Sequence, residues 1–219
     1  MAAITDYDSL ADQVKVYAAR SDTTFSNQIE TFIGLAEDRI YNGVGEPRDP
    51  MYSPAVRVKE MSETDDVAIV ASTGTVPALS LGLRRLSRAT DLVGLDYMAP
   101  DAFATRYNYS DTGSPRWYSV EGDQIRVAPS GWAGTLSALY YKRPAGISSS
   151  NTTNDILTAY PNLYLAATLF EAFSFLNDGE RSTGWLGRYR SSASGVNRSA
   201  TATRHGGGKL RSQPRVTIG

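Results

Sequence analysis

Apolar residues near the start of the chain recur at helical spacing. In ITDYDSLADQVKVYAAR, the residues Leu10, Val14 and Tyr17 lie at i, i+4 and i+7 and therefore share one helix face. SNQIETFIGLAEDRIYNG carries a second apolar stripe of the same period and ends at Gly43, a residue type that often terminates a helix. We therefore predict two antiparallel helices within residues 6–42, joined by a short polar turn.

The middle of the chain changes to the alternating pattern that is typical of strands. EPRDPMYSP places three prolines in nine residues, which excludes a continuing helix. AVRVKEM and VAIVAS predict short strands on either side of SETDD, an acidic turn. PRWYSVEGDQIRVAPSG has the tight turn Glu121-Gly122-Asp123 between two alternating runs and predicts a β-hairpin. With a third strand in TLSALYYKRP, residues 55–143 supply a small antiparallel sheet.

The last part of the chain returns to helical spacing. PNLYLAATLFEAFSFLNDGE begins with Pro161, which favours a first helical turn, and ends at Gly179. STGWLGRYRSSASGVNRSAT predicts a weaker last helix with few apolar contacts. TATRHGGGKLRSQPRVTIG has almost nothing to bury, so we expect it to stay extended until a partner holds it.

Together these elements predict an α+β fold that is mainly α. The helices at both ends, residues 6–42 and 161–199, build a helical bundle. The small antiparallel sheet or hairpin of residues 55–143 is inserted between them. We expect residues 1–199 to form a single domain and residues 200–219 to form an extended basic tail.

Charge is distributed unevenly along the chain. The 219 residues carry a net charge of −1. From Arg181 to Gly219 there are eight lysines and arginines and no acid, so the first 180 residues carry the remaining −9. A basic end on an acidic body predicts docking on an acidic partner or on nucleic acid. The alternative is a basic terminus that is only solvated.

Composition also limits the chemistry. The chain has no cysteine, which excludes disulfides and thiolate nucleophiles and fits a reducing cytoplasm. Its single histidine, His205, lies in the glycine-rich tail, so we expect neither a Ser-His-Asp triad nor a zinc site. No apolar run is long enough to span a bilayer, and the acidic N-terminus lacks the layout of a signal peptide. We predict no cofactor, no metal and no membrane association.

A pair of carboxylates for hydrolysis could in principle form from a few acidic positions. Asp65 and Asp66 lie in the predicted acidic turn, and Glu37 and Asp38 stand next to Arg39 on a predicted helix surface. Glu171 interrupts an apolar helix, where a carboxylate needs a cationic partner or a neighbouring subunit. This pattern favours a structural role for Glu171, and we predict no catalytic residue.

Aromatic residues cluster beside basic ones. The chain has 13 tyrosines and three tryptophans, and RYNY, RWY and LYYKRP combine them with arginine and lysine. Such clusters bind single-stranded nucleic acid or form protein interfaces, and the acidic body favours an interface. The predicted interface contacts are Trp117, Tyr118, Glu121, Asp123, Tyr140 and Tyr141.

Three stretches, in this order, resemble the head-to-tail adaptor (connector) proteins of tailed bacteriophages, particularly the short-tailed ones. The first is FIGLAEDRIYN in the second helix, and the second is GSPRWYSVEGDQIRVAPSG followed by LSALYYKRPAGIS. The third is TTNDILTAYPNLYLAATLFEAFSFLNDGERSTGWLGRY. The similarity spans roughly residues 5–190 of this sequence.

The resemblance implies a structural virion protein that is not an enzyme. It implies a ring of identical subunits, usually twelvefold, beneath the portal protein, which extends the DNA channel and attaches a tail protein of the nozzle or tube. Genomic DNA would pass through the lumen without sequence-specific binding. The protein would be made in the bacterial host cytoplasm and would lie at the head-tail interface of the virion. In such relatives the β-region tends to face the tail, so the interface contacts predicted there would be tail-side or inter-subunit contacts. The carboxy-terminal segment of such relatives commonly reaches along the portal. With the charge pattern, this leads us to expect portal binding by the basic end of the chain: Arg198, Arg204, His205, Lys209, Arg211 and Arg215.

Two other functions stay open at the level of sequence. The first is a nucleic-acid-binding regulatory protein that uses the basic tail, whose DNA affinity would fall steeply with salt. The second is a phage-associated hydrolase built around Glu171 or Asp65-Asp66. In that case Glu171→Gln would abolish a wall-degrading activity.

Overall fold

The computed structural model of the chain describes residues 3–106 and 113–204. The tyrosines of RYNY and residues 205–219 of the predicted basic tail lie outside the described residues. Within the described residues, no helix combines the length and the apolar character needed to cross a membrane.

Helices begin at residues that can cap them. The Asp6 side chain accepts a hydrogen bond from the Ser9 N–H, and the Ser9 side chain accepts one from the Asp6 N–H, which forms a capping box. Asn154 caps a later helix, and Pro161 stands at the start of the next one, as predicted. The helices are α1 (Tyr7–Ala18), α2 (Thr23–Ser26), α3 (Ile29–Asn42), α4 (Pro100–Arg106), α5 (Asp155–Ala159), α6 (Pro161–Phe175) and α7 (Gly179–Arg204).

The strands form two sheets. They are β1 (Ser62–Ile69), β2 (Thr73–Thr75), β3 (Ser80–Arg88), β4 (Asp96–Tyr97), β5 (Trp117–Glu121), β6 (Gln124–Ala128) and β7 (Gly134–Lys142). The three-stranded sheet has the order β1-β7-β3 and is antiparallel throughout. The four-stranded sheet has the order β2-β6-β5-β4, with β4 parallel to β5 and the other pairs antiparallel.

The described chain divides into two compact units. The helical unit comprises the residues up to Glu60 and those from Pro144 onward, and the sheet unit comprises Met61–Arg143. The sheet unit is thus inserted in the sequence of the helical unit. The behaviour of residues 1–199 as a single domain stays a prediction.

The core of the helical unit is built around α6. Every residue from 163 to 170 is buried, because α6 packs against α1, α3 and α7. A helix that is apolar on all sides requires this central position. The buried apolar faces of α1 and α3 are those that the sequence predicts, and they include Leu10, Val14 and Ile33.

The core of the sheet unit lies between its two sheets. One apolar cluster includes Val67 and Ile69 from β1, Leu136 from β7 and Ile125 and Val127 from β6. Side chains from one face of each sheet therefore meet in a common layer, which excludes water from both sheets at once.

The predicted fold class is correct in its α+β assignment and wrong in its architecture. Helices account for 44% of the structure and strands for 23%, in sheets of three and four strands. The protein is therefore not a helical bundle with a small sheet or hairpin inserted. The predicted hairpin at Glu121-Gly122-Asp123 is confirmed as β5-β6, but it belongs to the larger of the two sheets.

The sequence also misplaces two local elements. SETDD was predicted as a turn, but it begins β1, and residues 63–66 are exposed on both sheet faces, so no apolar alternation marks this half of the strand. The start of VAIVAS, predicted as a strand, forms the other half. AVRVKEM was predicted as a strand, but it runs as an extended segment into a short 3-10 turn, Lys59–Met61. Its alternating pattern reflects the burial of Val56 and Val58. The backbone N–H groups of Val56 and Arg57 bind helical residues instead of a strand.

Candidate contact surfaces

The carboxylate singled out in α6 has a cationic partner. Arg39 of α3 donates from Nε to Glu171 Oε1 over 2.9 Å, and its Nη2 lies 2.9 Å from the same oxygen. Arg39 also donates to the Ser53 hydroxyl at 3.0 Å, and its guanidinium lies 4.3 Å from the centre of the Phe170 ring. Both ionic side chains are largely buried. The pair links α3 to α6, which is the structural role predicted for Glu171.

Glu37 lies in the interior, not on the helix surface predicted from the sequence. Only 4% of Glu37 is exposed, and its Oε1 accepts hydrogen bonds from the Ile147 N–H at 2.9 Å and the Tyr164 hydroxyl at 3.1 Å. The Tyr41 and Tyr164 hydroxyls are 2.6 Å apart, and Asn154 Nδ2 donates to Tyr164 at 2.9 Å. Burial, with Tyr41 and Glu37 nearby, raises the pKa of Tyr164 well above its usual value. The network therefore holds the tyrosine protonated and fixes α3, α5 and α6 together.

Helix α7 is attached along the segment that precedes the sheet unit. Arg190 donates to the carbonyl oxygens of Tyr52 and Pro50. Asn197 accepts from the Arg57 N–H at 2.9 Å and donates to the Ala55 carbonyl at 2.8 Å. These bonds give the last helix polar contacts that its weak apolar pattern did not predict.

The residues predicted to bind the portal begin on this helix. Arg198 and Arg204 are exposed on α7, which continues to Arg204, beyond the predicted end at residue 199. Arg204 Nη2 donates to the Arg57 carbonyl at 3.0 Å. The other predicted portal contacts lie outside the described residues: His205, Lys209, Arg211 and Arg215.

The β5-β6 hairpin presents part of its predicted contact set. Asp123 is exposed in the turn, while Trp117 and Glu121 are half-buried. Glu121 forms an ion pair with Arg126 at 3.4 Å across the hairpin. Tyr118 is buried and packs edge-on against Tyr97, with ring centres 5.5 Å apart. The accessible part of this set is therefore the turn and one flank of β5.

The predicted contacts on β7 are buried. Tyr140 is 1% exposed, and its hydroxyl donates to Asp65 Oδ2 at 3.1 Å. Burial and then the Asp65 hydrogen bond raise the pKa of Tyr140 to about 12. Tyr141 is also buried, and the Arg84 guanidinium lies 5.2 Å from the centre of its ring. In the isolated chain both rings stabilise the sheet unit.

An open cleft lies beside the hairpin turn in the sheet unit. Its volume is about 590 Å³, and its apolar lining includes Val76, Leu81, Leu83, Tyr97 and Val120. Tyr97 is 59% exposed at the edge strand β4. Gly122 and Asp123 of the turn also line the cleft, so the hairpin and the cleft form one continuous surface with apolar and acidic parts.

Two of the carboxylates considered for hydrolysis have structural contacts inside the chain. Glu171 is engaged by Arg39, and Asp65 accepts from Tyr140, so each has a structural contact. Across residues 3–106 and 113–204, no three His, Asp or Glu side chains converge to hold a metal ion.

The sequence reading missed the buried role of Glu37 and the cleft residues around Tyr97. Glu37 lies at i+4 from Ile33 on the apolar face of α3, a spacing that could have revealed it. Tyr97 gave no such signal, because β4 is two residues long and pairs in parallel with β5.

Comparison with known proteins identifies the family of the chain. A family model described as SU10 adaptor protein matches residues 5–212. No curated protein matches the chain. The family match contains all three stretches whose resemblance to phage adaptors was noted in the sequence. The chain therefore belongs to the SU10 adaptor protein family, a family of structural head-to-tail adaptors of bacteriophages.

Proposed function

We propose that this chain forms a ring beneath the portal of a tailed bacteriophage, extends the DNA channel and attaches the tail. The observation that carries the proposal is the family match over residues 5–212. The exposed end of α7 and the hairpin turn with its adjacent cleft support the same role. A ring subunit needs two different surfaces for its neighbours and one for each axial partner.

The basic end of the chain is the proposed portal-binding segment. Arg198 and Arg204 are exposed on the last turns of α7, and the run without acids that starts at Arg181 continues to the end of the sequence. Guanidinium and ammonium groups form strong, charge-assisted hydrogen bonds with carboxylates. The expected receptor is an acidic groove on the portal protein.

The hairpin turn and the adjacent cleft are the proposed tail-side or inter-subunit surface. Glu121, Asp123 and the half-buried Trp117 are its accessible members. The buried members of the predicted set support this surface without touching a partner. Their rings pack inside the sheet unit and hold β5 and β7 in place: Tyr118, Tyr140 and Tyr141. An apolar cleft beside exposed acids suits a partner that inserts an apolar side chain next to a basic one.

The charge distribution suits a DNA channel. The first 180 residues carry a net charge of −9, and phosphate binding depends on basic contacts. An acidic channel wall would let DNA pass without retaining it. We expect no sequence-specific binding of DNA by the ring.

Removal of the basic end tests portal attachment. The full chain and a variant lacking residues 205–219 are titrated against purified portal, and bound adaptor is measured by size-exclusion chromatography. We expect the truncation to raise the half-saturation concentration at least tenfold, on the order of 1.4 kcal/mol, with unchanged helix content by circular dichroism. Equal binding by both proteins would contradict the assignment of this segment to the portal.

A charge variant separates charge from length in the same assay. Replacement of Lys209, Arg211 and Arg215 by glutamine keeps the length of the segment and removes three positive charges. If charge-assisted bonds hold the segment, this variant binds as weakly as the truncation and the wild-type affinity falls with added salt. Wild-type affinity in the glutamine variant, with loss only in the truncation, would overturn the electrostatic explanation.

A further inference from the structure

The three-stranded sheet has two edges that face away from its central strand. Its order is β1-β7-β3, and both outer strands are antiparallel to β7, so β1 and β3 run parallel to each other. Residues 63–66 of β1 are exposed. On β3, hydrogen bonds to Val93 and Leu95 occupy the end near Arg88 and Leu86, and residues 81–85 lie before that covered part. Exposed strand edges present N–H and C=O groups that can pair with another strand.

The two edges carry opposite charge. Residues 62–66 contain Glu63, Asp65 and Asp66 and no basic residue, while residues 81–85 contain Arg84 and Arg85 and no acidic residue. Two copies of the same edge would repel each other, and unlike edges would attract. The charges therefore disfavour a two-fold dimer through either edge and favour a head-to-tail contact between different edges.

Most of these charges are used inside the chain. Glu63 pairs with Lys142 at 3.1 Å, and Asp65 accepts from Tyr140. Arg84 donates to the Ser62 hydroxyl at 2.9 Å and covers the Tyr141 ring.

Asp66 and Arg85 differ from the other charges of the two edges. Both are exposed, and among the described residues neither side chain has a hydrogen bond or an ion pair. Asp66 stands opposite Ser137 and Arg85 opposite Leu139 on β7. Because these β7 positions are two residues apart, the two side chains lie on the same face of the sheet. Within one copy, the two positions are offset along the strand direction by about 7 Å. A neighbouring copy with the same strand direction would keep this offset, and an arginine side chain is long enough to cover a distance of this order.

We propose that neighbouring copies of this chain join through these two edges, with residues 62–66 of one copy beside residues 81–85 of the next and Asp66 paired with Arg85. The inference rests on the proposed ring and identifies its inter-subunit contact. The added pair of strands is parallel, because β1 and β3 have the same direction. When the ring closes, every such edge has a partner and no exposed edge remains to recruit further copies.

Charged residues on an edge strand have a second known effect, which is to keep lone sheets from pairing. The two explanations differ in the outcome of a double charge reversal. If Asp66 and Arg85 pair between copies, reversing both charges restores the attraction. If they only protect the edges, a double reversal restores nothing, because there is no contact to restore.

The test compares Asp66→Arg, Arg85→Asp and the double variant with the wild type. Glu46→Arg, Arg48→Asp and their double variant are matched controls, since both residues are exposed on a loop of the helical unit. The number of adaptor copies on each portal is measured by native mass spectrometry over a concentration series. Thermal unfolding checks that every variant is folded.

We expect each single edge variant to need about tenfold more protein for half-maximal ring formation, because each reversal turns an attraction into a repulsion at every interface. The double edge variant returns to within about threefold of the wild type, and the controls do not change. Single variants that assemble like the wild type, or a double variant no better than the singles, would overturn the proposed contact.

A cross-linking measurement separates this inference from the proposed function. The chain has no cysteine, so Asp66→Cys/Arg85→Cys introduces the only two thiols. A short bis-maleimide, which can join thiols that are too far apart for a disulfide, should yield a ladder of linked copies from the double variant and none from either single variant, both on the portal and in concentrated protein alone. A ladder without portal binding would uphold the contact and contradict the proposed function. A portal-bound ring without a ladder would uphold the proposed function and contradict the contact.

Discussion

At the scale of single residues, the helical unit depends on a few polar side chains inside an apolar core. Arg39 and Glu171 join α3 to α6, and Glu37 joins α3 to the segment before α5 through the Ile147 N–H. Each carboxylate is buried together with its donors. A buried charge that loses its partner is costly, whereas an exposed pair contributes little. Residue-level predictions therefore distinguish buried pairs from surface pairs.

Replacement of Arg39 by methionine should destabilise the protein by about 3 kcal/mol, because it leaves the Glu171 carboxylate buried without its cation. Lys15→Met is the control, since Lys15 pairs with Asp12 at the surface, and it should cost no more than about 0.5 kcal/mol. Urea denaturation gives both values. Arg39→Met/Glu171→Leu should recover much of the loss. Equal losses of unfolding free energy in Arg39→Met and Lys15→Met would show that the buried pair contributes no more to stability than the surface pair.

Tyr140 predicts an alkaline limit for stability. Its pKa is raised to about 12 in the folded chain, mainly by burial, whereas an unfolded tyrosine ionises near pH 10. Between these values the folded state holds a proton that the unfolded state releases, so the unfolding free energy falls as pH rises, by up to about 1.4 kcal/mol per pH unit. Below pH 10 this contribution is fully present.

Tyr140→Phe removes the ionisable group and provides the check. Its unfolding free energy between pH 10 and 12 should fall less steeply than that of the wild type, although it starts about 1 kcal/mol lower at pH 7 for want of the Asp65 hydrogen bond. Parallel pH profiles for the two proteins would rule out a raised pKa at this site.

At the scale of elements, the connection into α6 is held by one side chain. Asn154 Oδ1 accepts from the Leu157 N–H at 2.9 Å and caps α5, while Nδ2 donates to the Ala145 carbonyl at 3.0 Å and to the Tyr164 hydroxyl at 2.9 Å. The residue thus starts a helix with one atom and ties it to α6 with the other. A short helix needs this support, because five residues are too few to be stable alone.

Two substitutions separate these contributions. Asn154→Ala should cost about 2 kcal/mol, from the lost cap and the lost partner of a buried hydroxyl. Asn154→Ser retains a capping oxygen but is too short to reach Tyr164, so it should cost about 1 kcal/mol. Denaturant titration measures both. If Ser were as damaging as Ala, the cap would contribute nothing, and if Ser matched the wild type, the amide contacts would contribute nothing.

The elements also indicate what the sequence could predict. The helices α1, α3 and α6 follow from apolar periodicity and turn residues, and the β5-β6 hairpin follows from its tight turn. Strand β1 begins with polar residues that are exposed on both faces, and β3 contains two irregularities in its pairing with β7. Only residues 67–69, at the end of β1, show the alternation of a half-buried strand, and this part was predicted as a strand. For this reason the sequence predicted one small sheet instead of two.

At the scale of the whole molecule, the contact surfaces were only partly predictable. The basic end of α7 could be predicted from the sequence, because the charge of a segment follows from its residues and does not depend on the fold. The accessibility of aromatic residues could not be read. Tyr118, Tyr140 and Tyr141 were predicted as contacts, but their rings pack inside the sheet unit. The cleft beside Tyr97 also depends on strands that are far apart in sequence.

The central claim is that this chain works as one of many copies held between a portal and a tail. Its most direct test is the mass of the assembly formed when the purified full chain is mixed with its portal, measured by native mass spectrometry. The account predicts a stable complex that carries a closed set of adaptor copies, twelve on a twelvefold portal, and that then binds the tail protein. If the chain stays unbound even at high concentration and the portal is recovered alone, the account is contradicted.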